Sequence, residues 1–344
     1  MKNILAIRFS SIGDVALTVP VLRSLAEAHP EYSITVLTQN RFAPLFEFAP
    51  ENLIFHGVNL KEYKGIPGIR RLFKEITAQK KFDAVADLHG VLRTFVLGFF
   101  FRIHFIKVST IDKERCRRHR LVRINNKKMQ QLLPATEKYR KVFQKLGIGF
   151  PLKFESIYPD RKGNLEQIEQ ITGQKKCKWI GIAPFAAHKG KILPPHTMEK
   201  TIAALSDKGY RIFVFAFGKE ELDIAVPWSE RYANTSIVGK EMGGLKGELN
   251  LMSQLDLLIG MDSSNMHLAS CAGTPVISIW GATHPFAGFL GYGQSADNII
   301  QVELPCRPCS IFGKKPCRYA DYRCMTGIES ETIIRKVDSV LNIN

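Results

Sequence analysis

At 344 residues, with 45% hydrophobic and 23% charged side chains, the chain is too apolar for disorder and too long for one core, since single cores rarely grow past roughly 250–300 residues. Its formal net charge of +16 is uneven: residues 1–150 carry 26 Lys+Arg against 12 Asp+Glu, residues 151–344 carry 22 against 20. Such a field either attracts an acidic partner (nucleic acid, anionic lipid, a phosphorylated substrate) or serves as a solubilising surface.

The short apolar run at 1–8 is not followed by a leader-type cleavage site, so no signal peptide is expected. Residues 4–8 read as a buried strand, 15–28 as a helix with Pro20 either kinking it or marking its first turn, and 33–37 and 82–86 as further strands. Residues 95–106 (FVLGFFFRIHFI) are very apolar, but a spanning helix needs roughly 20 such residues. They read as a buried helix followed by a strand, with a membrane-surface contact as the alternative. The basic excess gathers at 61–81 and 113–128. Residues 147–162, with Gly147, Gly149, Pro151 and Pro159, are looser and mark a boundary, giving domains 1–155 and 156–344. The pattern then restarts, with strands at 179–183, 211–215, 257–260 and 276–279 and helices at 198–208, 265–272 and 329–341. The last helix is a candidate to pack back on the first domain. The expected class is α/β, two Rossmann-like domains with parallel sheets flanked by helices, ligands sitting beyond the carboxyl ends of the strands.

Candidate chemistry falls at those strand ends. After the first strand come Ser10, Ser11, Gly13 and Asp14: hydroxyls, a glycine for a tight turn, and a carboxylate that is either a general base or a cap of the next helix. After residues 82–86 come Asp87, His89, Gly90 and Arg93. Arg93 would point a cation at a ligand, and His89 is either structural or catalytic. The loop at 186–191 carries Lys189, Gly190 and Lys191, suited to a diphosphate or simply solvated. Glu221, after residues 211–215, either accepts from ribose hydroxyls or is an acid at a helix start. At 260–268 a strand stops and Asp262, Ser263 and Ser264 open a helix containing His267, an arrangement that favours phosphate. Residues 280–285 add a glycine turn with Thr283 and His284. No GxGxxG fingerprint or P-loop is present, which disfavours an oxidoreductase or an ATP cradle. The basic runs lack aromatic interleaving, which argues against nucleic acid.

In order, SSIGDV (10–15), DLHG (87–90), Lys-x-x-Pro (191–194), FGKEE (217–221), MDSSNMHLA (261–269) and WGATHP (280–285) together resemble glycosyltransferase family 9, the ADP-heptose:lipopolysaccharide heptosyltransferases. The resemblance spans the chain. It implies a GT-B fold, with two Rossmann-like domains facing a central cleft, acceptor on the first and nucleotide on the second. It implies an inverting transfer of heptose from ADP-heptose to a lipopolysaccharide inner-core acceptor (Kdo–lipid A or heptose), with Asp14 as base and no catalytic cofactor. Ser10, Ser11, Gly13, His89 and Arg93 would lie on the acceptor side. Lys191 would contact donor phosphates, Glu221 (or Glu220) the ribose, and Asp262, Ser263, Ser264, His267 and Thr283 the rest of the donor.

Two departures stand out. Ala186 and Ala187 replace a hydroxyl pair common in the family, and Asp262-Ser263-Ser264 replaces Asp-Thr-Gly. The reaction type is therefore better specified than the sugar. A UDP- or GDP-sugar transferase for another envelope glycan is the first alternative, and a non-catalytic anionic-ligand-binding protein the remote one. The expected location is cytoplasmic, peripheral on the inner membrane, with Arg70, Arg71, Arg115, Arg117 and Arg118 docking an anionic acceptor or leaflet. Cys306, Cys309, Cys317 and Cys324 have spacing that suits a structural zinc, or else reduced thiols or a redox pair.

Overall fold

The computed structural model describes residues 2–342. The chain forms two compact units, Met1–Arg115 with Leu133–Ile157, and Cys116–Leu132 with Tyr158–Asn344. In chain order the first stretch contains β1 (Lys2–Ile7), α1 (Ile12–Ala16), α2 (Val19–Ala28), β2 (Tyr32–Gln39), β3 (Leu53–Val58), α3 (Gly65–Gln79), β4 (Ala84–Asp87), α4 (Leu92–Ile103), β5 (Lys107–Thr110), α5 (Arg115–Leu121) and α6 (Ala135–Gln144). The second contains α7 (Glu166–Thr172), β6 (Trp179–Ala183), α8 (Pro195–Asp207), β7 (Arg211–Phe215), α9 (Lys219–Arg231), β8 (Thr235–Val238), α10 (Leu245–Gln254), β9 (Leu257–Met261), α11 (Ser264–Cys271), β10 (Val276–Trp280), β11 (Ile299–Gln301), α12 (Arg323–Thr326) and α13 (Ser330–Val340).

The first sheet has order β3-β2-β1-β4-β5 and the second β11-β10-β9-β6-β7-β8, every pairing parallel. Strands β6, β9 and β10 are buried along their whole length, as parallel strands covered on both faces must be. In each sheet the strand order reverses once, between β1 and β4 in the first and between β6 and β9 in the second. These are the switch points where open α/β sheets hold ligands.

Several expectations change. The helix expected at 15–28 is two pieces. Thr18 ends the first turn by donating its hydroxyl to the Val15 carbonyl at 2.7 Å, and Pro20 stands in the first turn of α2, where a missing N–H leaves nothing unmade. α4 is not a buried helix: Thr94, Leu97, Gly98 and Phe101 face the core, while Leu92, Phe95, Phe99 and Ile103 face solvent. The units part at Ile157, two residues from the expected boundary, but residues 116–132 belong with the second unit. That reassignment carries six cations with it. Unit one then holds 21 Lys+Arg against 13 Asp+Glu and unit two 27 against 19, a balance of +8 in each. α13 packs on α8 inside the second core, Ile333 and Val337 joining Ile202 and Leu205, with Lys208 donating to Asp338.

Candidate functional site

At the switch point of the first sheet, β1 runs into Arg8 and Phe9, and β4 into Asp87–Gly90. Arg8 is buried. One guanidinium nitrogen lies 2.6 Å from Asp14, another donates to the Leu88 carbonyl at 2.8 Å, and the group sits over the Tyr139 ring at 5.8 Å. Asp14 also accepts from the Ser11 N–H at 3.2 Å and the Ser11 hydroxyl at 2.9 Å. Asp14 thus closes a capping box and is also paired with a cation at the mouth of the sheet. Gly13 lies buried in the first turn of α1 and is not among the glycines with positive φ, so it does not supply the expected tight turn. Gly90, at φ 59°, does.

Asp87 is buried and organises the second loop. It accepts from the His89 and Gly90 N–H groups, both at 2.9 Å, and from the Thr94 hydroxyl at 3.0 Å. Burial nevertheless pushes its carboxyl upward. His89 accepts from the Phe9 N–H through Nδ1 at 3.4 Å. Burial, helped by the charges of Arg8, Lys113 and Arg93, pulls its imidazole down to about 4. The ring is therefore neutral at pH 7 with its proton on Nε2, so it presents a hydrogen-bond donor and not a cation.

At the switch point of the second sheet, Lys191 after β6 reaches Asp262 after β9 at 3.0 Å, the aspartate buried and the lysine half-buried. Ser263 stands at the N-cap of α11 but makes no side-chain cap bond, and its buried Oγ has no partner among the described residues. A capping-only role therefore does not account for it. His267 is buried one turn into α11. Buried Thr283 likewise has a hydroxyl without a partner among the described residues. Glu221 accepts from the Phe217 N–H at 2.9 Å, the helix-start role; no other partner of its carboxylate is found among the described residues.

The turn after β10 is clamped from behind. Arg307, 3% exposed, donates to the carbonyls of Trp280 and Thr283, both at 3.1 Å, and to those of Gly281 and Val302. The Ala282 carbonyl accepts from the Cys309 and Ser310 N–H groups at 3.0 and 3.2 Å. The Ala282 N–H donates to Gly190 at 2.8 Å, joining this turn to the Lys191 loop. A Cβ built on Gly281 would meet Met325 Sδ at 2.1 Å and the Gly190 carbonyl at 2.5 Å; one on Gly313 would meet Lys191 Cδ at 2.5 Å.

With this geometry in place, comparison with known proteins is decisive. The sequence model of glycosyltransferase family 9 (heptosyltransferase) matches residues 69–322. The chain belongs to glycosyltransferase family 9. Curated relatives of this family-9 chain include lipopolysaccharide heptosyltransferase 3 of Escherichia coli, 25% identical over 288 residues and covering 79% of this chain and 81% of that one. Another is the lipopolysaccharide core heptosyltransferase OpsX of Haemophilus influenzae, 24% identical, covering 88% and 84%. In fold it is similar to a family-9 glycosyltransferase from Veillonella parvula, with TM-score 0.75, 20% identity and coverage of 100% and 98%. It is also similar to E. coli heptosyltransferase WaaC with ADP, with TM-score 0.69, 17% identity and coverage of 98% and 99%. The family-9 chain is a glycosyltransferase with the two parallel sheets of the GT-B class.

The structure gathers Ser10, Ser11, Gly13, Asp14, His89 and Arg93 around one switch point, and Lys191, Asp262, Ser263, Ser264, His267 and Thr283 around the other. Of the two expectations for the cysteines, a structural zinc finds no support: among the described residues no group of three or more His, Cys, Asp or Glu could hold a metal, and all four cysteines are free thiols. Burial pushes the Cys309 thiol up and the Cys324 thiol up to about 11, so both are protonated and poorly nucleophilic at neutral pH. The cysteine loop instead buttresses the turn after β10. Arg118, expected to dock an acceptor, is held between Phe289 and Phe312 at 5.3 and 5.5 Å. Arg8 and Arg307 are not among the residues expected from sequence; Arg307 is met mostly by backbone carbonyls, which no side-chain pattern reveals.

Proposed function

We propose that this enzyme transfers a heptose, with inversion, from ADP-heptose to a lipid-linked lipopolysaccharide inner-core saccharide at the cytoplasmic face of the inner membrane. The observation that carries the reading is a carboxylate, Asp14, fixed at the mouth of the first sheet by Arg8 and Ser11, in a chain whose relatives are named lipopolysaccharide heptosyltransferases. ADP as the nucleotide is supported by WaaC, whose structures hold ADP and ADP-2-deoxy-2-fluoro heptose.

Asp14 takes the proton from the acceptor hydroxyl as that oxygen attacks the anomeric carbon. The bond from this carbon to the diphosphate oxygen breaks, and ADP leaves with the electron pair. Lys191 and the free N–H groups at the start of α11 meet the charge that develops on the diphosphate. Asp262, a carboxylate that would repel phosphate, instead orients Lys191 and accepts from sugar hydroxyls. Ser263 and Thr283 offer their unpartnered hydroxyls to the donor, and Glu221 its second oxygen to the ribose. Neutral His89 donates to the acceptor, with Arg93 beside it meeting acceptor anions.

The test is calorimetric titration with ADP, UDP and GDP, followed by turnover of ADP-heptose with Kdo–lipid A. Preference for ADP and formation of heptosylated product is the expected result. Preference for UDP or GDP would discard the heptose donor.

A further inference from the structure

α4 has an outer face that nothing in its unit covers. Leu92, Phe95, Phe99 and Ile103 repeat at helical spacing and all point to solvent, Leu92 at 80% and Phe99 at 57% exposure. A surface helix ordinarily carries polar side chains there. The helix then ends in a Schellman arrangement: the Phe105 N–H donates to the Arg102 carbonyl at 2.9 Å and the Ile106 N–H to that of Phe101 at 3.1 Å. The left-handed position of this motif normally belongs to glycine or asparagine. Here it is Phe105, at φ 60° and 99% exposed. A strained backbone thus holds an aromatic ring wholly in water, at the end of a stripe of four other apolar side chains.

Charge says what would cover this face. From Leu88 to Ile111 there is no acidic residue, while Arg93, Arg102 and Lys107 are cationic. α3 lies alongside, Phe73 packing on Phe100 and Phe101 at 5.7 and 5.0 Å, and adds exposed Arg70 and Lys74. An apolar stripe with a cationic rim fits the boundary between anionic headgroups and acyl chains. No helix among the described residues is long and apolar enough to cross a membrane, so the contact lies in the plane of the surface.

We infer that α4 and Phe105 form the surface by which this enzyme seats on an anionic bilayer, the aromatic stripe entering the headgroup boundary and Arg102, Lys107, Arg70 and Lys74 meeting lipid phosphates. This deepens the reading above and rests on its lipid-linked acceptor: the stripe begins at Leu92, two residues past Gly90 in the loop that carries His89, so the embedded helix starts where the acceptor would be presented.

The experiment is co-sedimentation of the full chain with vesicles of phosphatidylcholine containing about a third phosphatidylglycerol, and with phosphatidylcholine alone. The wild type should bind the anionic vesicles, and roughly 150 mM added salt should weaken that binding several-fold. Phe99→Ser with Ile103→Ser should cut it at least tenfold while leaving ADP affinity unchanged, which shows that the variant is folded. As a second measure, Phe99→Trp should blue-shift on vesicle addition and be quenched by lipids brominated along the acyl chain. Binding unchanged by the double substitution, or absent from the wild type, overturns the inference. So does sedimentation velocity showing a dimer that the double substitution dissociates, since a second copy would then be the occupant. Vesicle binding without heptose transfer would sink the functional reading alone; transfer to a delipidated acceptor fragment without vesicle binding would sink this inference alone.

Discussion

Arg8 sits where a single side chain decides the aim of another. It ties the Asp14 carboxylate to the Leu88 carbonyl, so the proposed base is steered by both loops of the first switch point. Asp14→Ala should lower kcat by roughly 10²–10⁴-fold, the usual worth of general-base help, with ADP affinity within about twofold. Arg8→Gln keeps the proposed base but removes its paired cation, leaving the Ser11 contacts; because small misplacements of reacting groups can cost about 10²-fold, kcat should fall between about 10- and 100-fold at constant ADP affinity. Steady-state kinetics with calorimetry checks both, and near-normal turnover of Asp14→Ala would reject the base assignment. His89 gives a different signature. Its folded value of about 4 lies below the ordinary 6.5, so between these values the unfolded chain binds the extra proton and acid favours unfolding. Stability should therefore drop as pH falls from about 6.5 to 4, and His89→Gln should flatten that drop. Urea midpoints measured across this window for the two proteins make the comparison; parallel curves would show that His89 is not burdened by burial.

At the level of elements, the turn after β10 has its backbone set by contacts made from behind. Gly281→Ala would drive a methyl group into Met325 and the Gly190 carbonyl. The turn and the Lys191 loop must then separate, and ADP affinity should fall at least tenfold while the fold persists; calorimetry with circular dichroism tests this. How far such detail was readable varies by element. The buried strands β6, β7, β9 and β10 were legible because continuous apolar runs end in glycine or small polar residues, and Asp262–Ser264 was legible because its strand-to-helix switch is local. α3 was not. Gly65, Pro67 and Gly68 interrupt its start and its charges draw the eye, although Ile69, Leu72, Phe73 and Ile76 carry a helical spacing and are buried. β3 was missed because His56 and Gly57 break its apolar run, and β8 because four residues are too short a pattern. Composition records how apolar α4 is and not what stands beside it, so its solvent-facing stripe is not legible in the sequence. The cysteine spacing left metal and thiols open, and the role of that loop lies elsewhere: it rests on Arg307 meeting the carbonyls of Trp280, Gly281, Thr283 and Val302.

For the molecule as a whole, the segment 116–132 matters most. It leaves the first unit, contributes Leu121 and Leu132 to a cluster with Ala287, and is fastened by Lys127, which donates to the carbonyls of Pro305, Arg307 and Pro308 at 3.1, 2.7 and 3.1 Å. It also removes the apparent concentration of charge in the first half. A fragment of residues 158–344 lacks this segment and exposes the surface it covers. Such a fragment should melt several degrees below the second transition of the full chain, by roughly 4 °C for each 1 kcal/mol lost in a unit of this size. Scanning calorimetry on both would check it, and equal melting temperatures would mean the segment is incidental to the second core.

That crossing also sets a timetable for synthesis. Leu132 donates its N–H to the Phe286 carbonyl, and Arg118 lies between Phe289 and Phe312. When residues 116–132 leave the ribosome, every one of these partners is still more than a hundred codons away. At translation speeds of about 5–20 residues per second, the segment waits on the order of ten to thirty seconds with its apolar side chains and Lys127 unmatched. The first unit can form in that interval, but residues 116–132 cannot be seated until the last third of the message has been read.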